Sequence, residues 1–544
     1  MPAQLPQDYY LRNFRQLLAF VAQRYWTLLS EREQRFYLAF DASTEDAQRL
    51  YIRLLSRRGS LFRRGRLRYP EIADVDAAAR ALAASGLLTI APPVALPAIL
   101  PLFNKAEIAA RMGDPGLARG SRALLDRALL EGEPAPALAA LLQGEQLWQV
   151  EQEDCFDTYK LCFFGNLHQD LTEFVLGELG LQRYEAYPLD AINLPFCSRA
   201  QIEQHLAYYR CLATAEQTLQ EGAPAIVALW RSLPQPAADD GALKRRVQRL
   251  TNSLARQLER LAEPELALAL YQAVERPPAR ERRARILAAS GEVEPALALC
   301  SAMAAQPRNE EERVFAEAFA QRLARRHGRP HRSTTTRYRP PERRLTLPPG
   351  ESPVEVAAAA ALSRQGPCFY VENRLFNAVL GLLLWDIVFA PVAGAFYNPF
   401  QRAPADFYEA EFISARRALL AERLRASEDP ATLAHWVWQH WSAKRGLINP
   451  LVHWEGLSEE LLALALQHIP GRHWQPLLAR LLQDLRHHRT GLPDLIAFGD
   501  DGGYTLLEVK APGDRLQKNQ QRWMAFFAEV GIPHEVLHVQ WCPE

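Results

Sequence analysis

The chain of 544 residues is long for one hydrophobic core and, at about 100–200 residues per domain, calls for three or four domains. Its 63 basic and 63 acidic residues cancel, which excludes a global field steering it to nucleic acid or membrane and leaves any such attraction to local clusters. Seven cysteines (Cys155, Cys162, Cys197, Cys211, Cys300, Cys368 and Cys542) lack CxxC or Cys/His spacing, which argues against zinc sites and a disulfide framework and suits a reducing cytoplasm.

The N-terminus, "MPAQLPQDYYLRNFRQ", lacks the basic start and apolar core of a signal peptide. From Tyr9 to about Leu88, helical periodicity alternates with basic segments, and "RLLSRRGSLFRRGRLRY" crowds Arg57, Arg58, Arg63, Arg64, Arg66 and Arg68 together. An Arg-rich turn interleaved with Phe62 and Tyr69 suits phosphate contact and base or sugar stacking. A solvated basic face explains it equally well. Residues 1–92 are assigned to a basic, DNA-binding helical domain.

The proline-rich "TIAPPVALPAILP" breaks this pattern, and "LFNKAEIAARMGDPGLARGSRALLDRALL" then predicts two helices around a turn. Lys105, Arg111, Arg119 and Arg122 fall on or near that turn, where a duplex backbone could be gripped; a plain helical hairpin is the alternative. This unit and a connector make up residues 93–200. Residues 201–327 are rich in Ala, Leu and Arg, and "EPELALALY" and "EVEPALALC" read as successive units of a helical-repeat array, a docking surface for a protein partner. The Pro-, Thr- and Arg-rich stretch "RHGRPHRSTTTRYRPPERRLTLPPGES" predicts a linker over 328–350, ahead of a last domain over 351–544. Val379–Ala390 is the most apolar run, but it is shorter than the ~18 residues of a spanning helix and contains Asp386, so it is expected to be a buried helix rather than a membrane segment.

Near the C-terminus, "DLIAF" and "YTLLEVK" are short, β-prone and separated by "GDDGG", the pattern of a β-hairpin. A turn centred on Asp501 pairs Phe498 with Tyr504 and brings Asp494 opposite Glu508. Directly opposed carboxylates lie ~4.5–5.5 Å apart at Cβ and repel, so the pair calls for a cation between them. Strand alternation puts Glu508 and Lys510 on one face and Leu507 and Val509 on the other. Oxygen donors of this kind suit Mg²⁺ or Mn²⁺. In the following helix, read as Asp514–Val530 with Asp514 a good N-cap, Gln520 is the polar exception on the packing stripe. It either supports the site or satisfies a backbone group. Arg486, His487 and Arg489 precede the first strand and could meet phosphate.

Opposed acids with Lys two residues on form the pattern of the PD-(D/E)XK nucleases, matched by Pro493-Asp494 and Glu508-Val509-Lys510. With "RTGLPDL", "LEVK" and "PGDRLQKNQQRW", the region resembles the virus-type replication-repair nuclease (VRR-NUC) module. The further stretches "ENRLFNAVLGLLLWDIVF", "NPFQRAPADFY" and "FFGNLHQDLTEFVL" extend the resemblance to the Fanconi-associated nucleases, in their bacterial form. That resemblance implies a multi-domain, mainly α protein with a C-terminal α/β domain of restriction-endonuclease-like fold. The unit within 93–200 is similar to the family's SAP-like helical pair. Asp494 and Glu508 match the family's metal-binding acids, the Val509 carbonyl adds an oxygen, Lys510 matches the catalytic lysine, and Glu372 matches a further metal-binding Glu. Asp514 and Arg515 also match the family pattern. Glu372 is read as starting a helix; Asp386, some ~20 Å along it, is too far to share the metal and is read as structural.

The activity so implied is metal-dependent hydrolysis of DNA, of phosphodiesterase I type, preferring 5′ flaps and proceeding 5′ to 3′, in interstrand crosslink repair. It implies branched or 5′-flap DNA as partner, and cytoplasmic, nucleoid-associated work. Two other readings stand beside it: a resolvase acting on four-way junctions, and a non-catalytic helical-repeat scaffold.

Overall fold

A computed structural model of the chain describes residues 8–114, 116, 119–170, 182–190, 193–329 and 338–542. Residues 171–176 of the stretch beginning at Phe163 and residues 330–337 of the expected linker lie outside the described residues. The chain divides into two compact units, one of Met1–Leu181 with Phe196–Leu206, the other of Gln182–Pro195 with Ala207–Glu544.

In the first unit, helices Tyr9–Tyr25, Glu31–Asp41 and Glu45–Leu55 start the chain. Ser30 closes a capping box with Glu33 and Thr44 caps the third helix, so sequence-local signals fix both starts. Three short strands, β1 (Leu61–Arg63), β2 (Leu88–Ile90) and β3 (Leu147–Val150), make an antiparallel sheet in the order β1-β3-β2. The central β3 comes from the far side of the helical pair, so this sheet crosses the expected boundary at residue 92. Helices Lys105–Arg111, Arg122–Glu131 and Pro134–Leu142 flank a small core of Ile99, Phe103, Ile108, Leu125 and Leu141.

In the second unit the repeat segments become helices Pro264–Gln272 and Val293–Ala305, each following a Glu at its N-cap. The latter packs between Ala279–Ala289 and Glu310–Arg326 over Ala284, Cys300, Met303 and Ala316. Arg276 and Arg245 tie this array to Glu409 and Glu411.

A five-stranded mixed sheet follows, in the order β4-β8-β7-β6-β5, with β4 Glu342–Leu347, β5 Cys368–Tyr370, β6 Leu495–Phe498, β7 Tyr504–Lys510 and β8 His534–Trp541. β4 corrects the linker expectation at its C-terminal end: "ERRLTL" is an edge strand paired in parallel with β8. Its period-2 pattern is hidden among exposed charges, because an edge strand needs only one neighbour. β6 and β7 form the hairpin, and helix Lys518–Val530 carries the chain over to β8, which then runs parallel to β7 as such a crossover requires. One sheet face packs Leu495, Leu507 and Val509 against helix Val354–Leu362. The other packs Ile496, Phe498, Tyr504 and Leu506 against helices Leu375–Leu383, Gly471–Gln483 and Lys518–Val530. Every residue of Leu375–Leu383 is buried, each large aliphatic there contributing about 1.5–3 kcal/mol. Among the described residues no helix is long and apolar enough to cross a membrane.

Candidate active site

The hairpin register pairs Phe498 with Tyr504 and Leu495 with Leu507. Extended by one residue, it sets Asp494 opposite Glu508, on the face that also carries Leu506 and Tyr504. Asp494 is anchored at both ends. Its carbonyl accepts the N–H groups of Val371 (2.7 Å) and Glu372 (3.2 Å), and its Oδ2 accepts the N–H of Val509 at 2.8 Å. Lys510 Nζ donates to Glu508 Oε1 at 2.6 Å. All three side chains are withdrawn from water: Asp494 is 7%, Glu508 0% and Lys510 8% exposed.

Glu508 Oε2 is buried and has no hydrogen-bond partner. An anionic oxygen in that state is expensive. Burial raises the Glu508 carboxyl to about 8, with the Asp494 charge adding to it and Lys510 opposing it. Burial likewise raises Asp494 to about 6; the Val509 N–H and Lys510 pull it down, while Glu372 and Glu355 push it up. Two facing acids held partly protonated are a receptor for positive charge.

Glu372 lies in the turn between β5 and helix Leu375–Leu383, not within the helix as expected. Asn373 beside it takes the left-handed conformation (φ 51°), which a helix start cannot accommodate. The exposed Glu372 carboxylate accepts from Tyr370 Oη and, at 3.4 Å, from Asn373 Nδ2. Among the described residues no group of three or more His, Cys, Asp or Glu side chains is arranged as a cation cage. Asp494 and Glu508 thus offer two anionic donors, to be completed by Glu372, the Val509 carbonyl, water or phosphate oxygen. That incomplete donor set fits Mg²⁺ chemistry, in which one or two carboxylates suffice and waters are retained.

Other expected residues lie elsewhere. Gln520 Oε1 accepts the Gln517 N–H at 2.8 Å in a capping box, so that oxygen satisfies backbone rather than the acids. The helix starts at Lys518 with Gln517 as N-cap, which corrects the assignment of Asp514. Asp386 pairs with Arg423 through both oxygens, a structural role. Arg486 pairs with Glu409, His487 with Asp484, and Arg489 with the Tyr408 hydroxyl.

In the first unit the Arg-rich stretch divides. Arg63 is 7% exposed, pairs with Glu107 (3.0 Å) and Glu145 (2.6 Å) and lies over the Phe103 ring. Arg64 forms a two-point pair with Asp76, and Arg122 pairs with Asp126 while capping the Phe103 and Leu100 carbonyls. Arg63 is thereby enclosed in its ion pairs, which corrects its assignment to DNA, Arg64 and Arg122 are ion-paired but half-buried, and Phe62 and Tyr69 are core rather than stacking platforms. In a chain with equal numbers of acids and bases, an Arg in a crowded stretch finds a carboxylate first. Lys105 donates to the Gly120 carbonyl; Arg57, Arg58 and Arg119 are exposed.

Sequence reading missed Tyr370 and Asn373, the two side chains that bond the Glu372 carboxylate. Tyr370 sits two residues before Glu372, a spacing that strand alternation could have flagged, and Asn373 follows Glu372 directly, whereas the bond from Leu492 to Asn373 is made only by the fold.

The VRR-NUC domain model matches residues 429–541 and the FAN1, HTH domain model residues 8–89. The chain is 36% identical over 551 residues to the Fanconi-associated nuclease 1 homolog of Pseudomonas aeruginosa, covering 99% of this chain and 97% of that one. It is 25% identical over 620 residues to the Arabidopsis thaliana homolog, covering 98% of this chain and 67% of that one. A crystal structure of paFAN1 bound to 2nt 5′ flap DNA with gap superposes with a TM-score of 0.85 at 35% identity, covering 100% of both chains. Identity and overlap along nearly the full length place the protein in the Fanconi-associated nuclease family, of the bacterial type, with the hairpin acids inside its VRR-NUC domain.

Proposed function

We propose that this nuclease cleaves branched DNA at 5′ flaps, by Mg²⁺- or Mn²⁺-dependent hydrolysis of a phosphodiester bond at Asp494, Glu508 and Lys510. The observation that carries this reading is the fully buried Glu508, one oxygen on Lys510 and the other without a partner, opposite Asp494. A bound divalent cation would polarise the phosphodiester and lower the pKa of an attacking water. Glu508 and Asp494 hold the charge that recruits it. Lys510, kept in place by Glu508, supplies positive charge where the phosphorane develops negative charge. The Val509 N–H fixes the Asp494 carboxylate so that it need not reorganise during reaction.

Flap preference is supported by the relatives crystallised with 1nt and 2nt 5′ flap DNA with gap. Exposed Arg57, Arg58 and Arg119 suit contact with the duplex backbone, making substrate choice geometric. The same reading carries 5′-to-3′ exonuclease action in crosslink repair, cytoplasmic work and a protein partner on the repeats.

The test is cleavage of 5′-flap, four-way-junction and plain duplex DNA with Mn²⁺, Mg²⁺ or chelator, comparing wild type with Asp494→Ala. Flap cleavage that needs metal and disappears in the variant supports the proposal. Cleavage of junctions in preference to flaps, or metal-dependent cleavage that survives in Asp494→Ala, overturns it.

A further inference from the structure

Val371 and three residues of the "ENRLFN" stretch, Glu372, Asn373 and Asn377, reach toward the loop that delivers Asp494. Asn377 is buried, and its Nδ2 donates to the carbonyls of Asn373 (2.6 Å) and Arg489 (2.9 Å). Because both partners are carbonyl oxygens, the nitrogen must face them, which fixes the amide orientation. Asn373 links Glu372 to the loop that leads into Asp494. Its Oδ1 accepts the N–H of Leu492, two residues before Asp494, at 3.1 Å, and its Nδ2 donates to Glu372 at 3.4 Å. The N–H groups of Val371 and Glu372 then close on the Asp494 carbonyl.

The far side of the same loop is held as well. Trp523 Nε1 donates to the Thr490 carbonyl at 3.2 Å. Gly491 takes φ +82°, and a Cβ there would lie 2.7 Å from Asn519 Cγ. Residues 489–494 thus have no slack. An amide that spends its donors on Arg489 from inside a hydrophobic helix costs desolvation, and a Leu there would fill the same space without it. Asn373 takes the left-handed conformation (φ 51°), uncommon in a non-Gly residue and found disproportionately at functional sites.

We infer that Asn373 and Asn377 are positioning residues that set the separation of Glu372 from Asp494 and hold the loop 489–494 in register with β7. They touch no reacting atom and act through the acids. The inference rests on the reading of Asp494 as a metal-binding acid given above. Geometry, not fold stability alone, is what the two amides supply: without them the carboxylates remain but drift apart, and misplacement by about 1 Å costs up to about 100-fold in rate.

The test uses the full-length protein with Asn377→Leu, and with Asn373→Gly, which keeps the left-handed backbone free of strain while removing both side-chain bonds. Three quantities are read: Mn²⁺ affinity without DNA by calorimetry, flap-DNA affinity in chelator, and kcat against KM. The expected result is Mn²⁺ affinity and kcat each lower by about 10–100-fold, with KM and chelator-phase DNA affinity unchanged. Melting temperatures that fall while Mn²⁺ affinity and kcat stay at wild-type levels overturn the inference and make the amides structural only. If Asn377→Leu does not fold, Asn373→Gly alone decides the question. Asp494→Ala in parallel separates the two claims: its loss of Mn²⁺ binding with intact asparagine variants sinks only the positioning role, whereas Mn²⁺ binding retained in Asp494→Ala sinks the site assignment.

Discussion

Asp494 and Val509 are joined across the hairpin: Asp494 Oδ2 accepts the Val509 N–H at 2.8 Å, one residue past its cross-strand neighbour Glu508. A side chain here replaces the ladder bond that the strand end would otherwise lack. The same bond that finishes the sheet therefore aims the carboxylate at Glu508.

Because of that double use, Asp494→Asn separates charge from structure. Asn keeps an oxygen for the Val509 N–H and loses the negative charge. Flap cleavage is expected to fall about 10²–10³-fold, the scale of removing one preorganised electrostatic group. Melting in chelator should stay level or rise. A variant that melts lower and cleaves normally would show the carboxylate to be purely a strand cap.

Stability without metal should fall as pH rises. Burial holds the folded carboxyls at about 6 for Asp494 and about 8 for Glu508, above the unfolded values near ~4. The native state therefore binds more protons than the unfolded state in between, so stability declines from roughly pH 4 up to about pH 8 and then levels off. In chelator at pH 8, Glu508→Gln should melt above wild type by about 2–4 °C, and the gap should close near pH 4. Mn²⁺ should raise the wild-type midpoint and leave the variant's unmoved. A variant that melts below wild type at pH 8 contradicts this account.

Lys510 and Glu508 form a buried pair, and once Glu508 is ionised, removing the lysine alone is worse than removing both. Above about pH 8, where Glu508 is ionised, Lys510→Met leaves that carboxylate without its counter-charge and is expected to cost stability as well as cleavage, the loss shrinking as the carboxyl takes a proton at lower pH. The double variant Lys510→Met/Glu508→Gln should recover most of that stability and none of the activity. Chemical denaturation of the four proteins closes the cycle; a double variant no more stable than Lys510→Met would remove the pair as the cause.

The first unit offers a contrast between arginines. Arg63→Ala strips a buried charge from Glu107 and Glu145 and is expected to destabilise that unit by about 3–5 kcal/mol. Arg58→Ala, at an exposed position, should leave melting unchanged and reduce the salt dependence of DNA affinity by about one charge. Equal salt slopes for Arg58→Ala and wild type would place the DNA elsewhere.

Much of the site was readable because a hairpin is local. A five-residue turn between two β-prone segments determines the register, and the register determines that Asp494 faces Glu508 and that Lys510 shares its side. Helix caps at Ser30 and Thr44, and the repeated Glu-started helices at Pro264 and Val293, are local in the same sense. Asp514 was misread as a cap because several polar residues in a row could each serve, and the packing of Trp523 and Phe527 chose Gln517.

Charge partners and burial were not readable, because they depend on residues far apart in the chain. Arg63 meets Glu145 and Arg64 meets Asp76 only after β1 and β3 pair and the helices close around them. Glu372 reaches Asp494 across more than a hundred residues, through backbone bonds that exist only once β5 lies beside β6. By itself, then, the sequence determined the acids, the lysine and their shared strand face, since alternation and turn length act between neighbours. Only the tertiary structure decided that Glu508 loses all contact with water, that Glu372 stands in a turn held by Asn373, and which arginines remain exposed, since desolvation and ion pairing are properties of the packed whole.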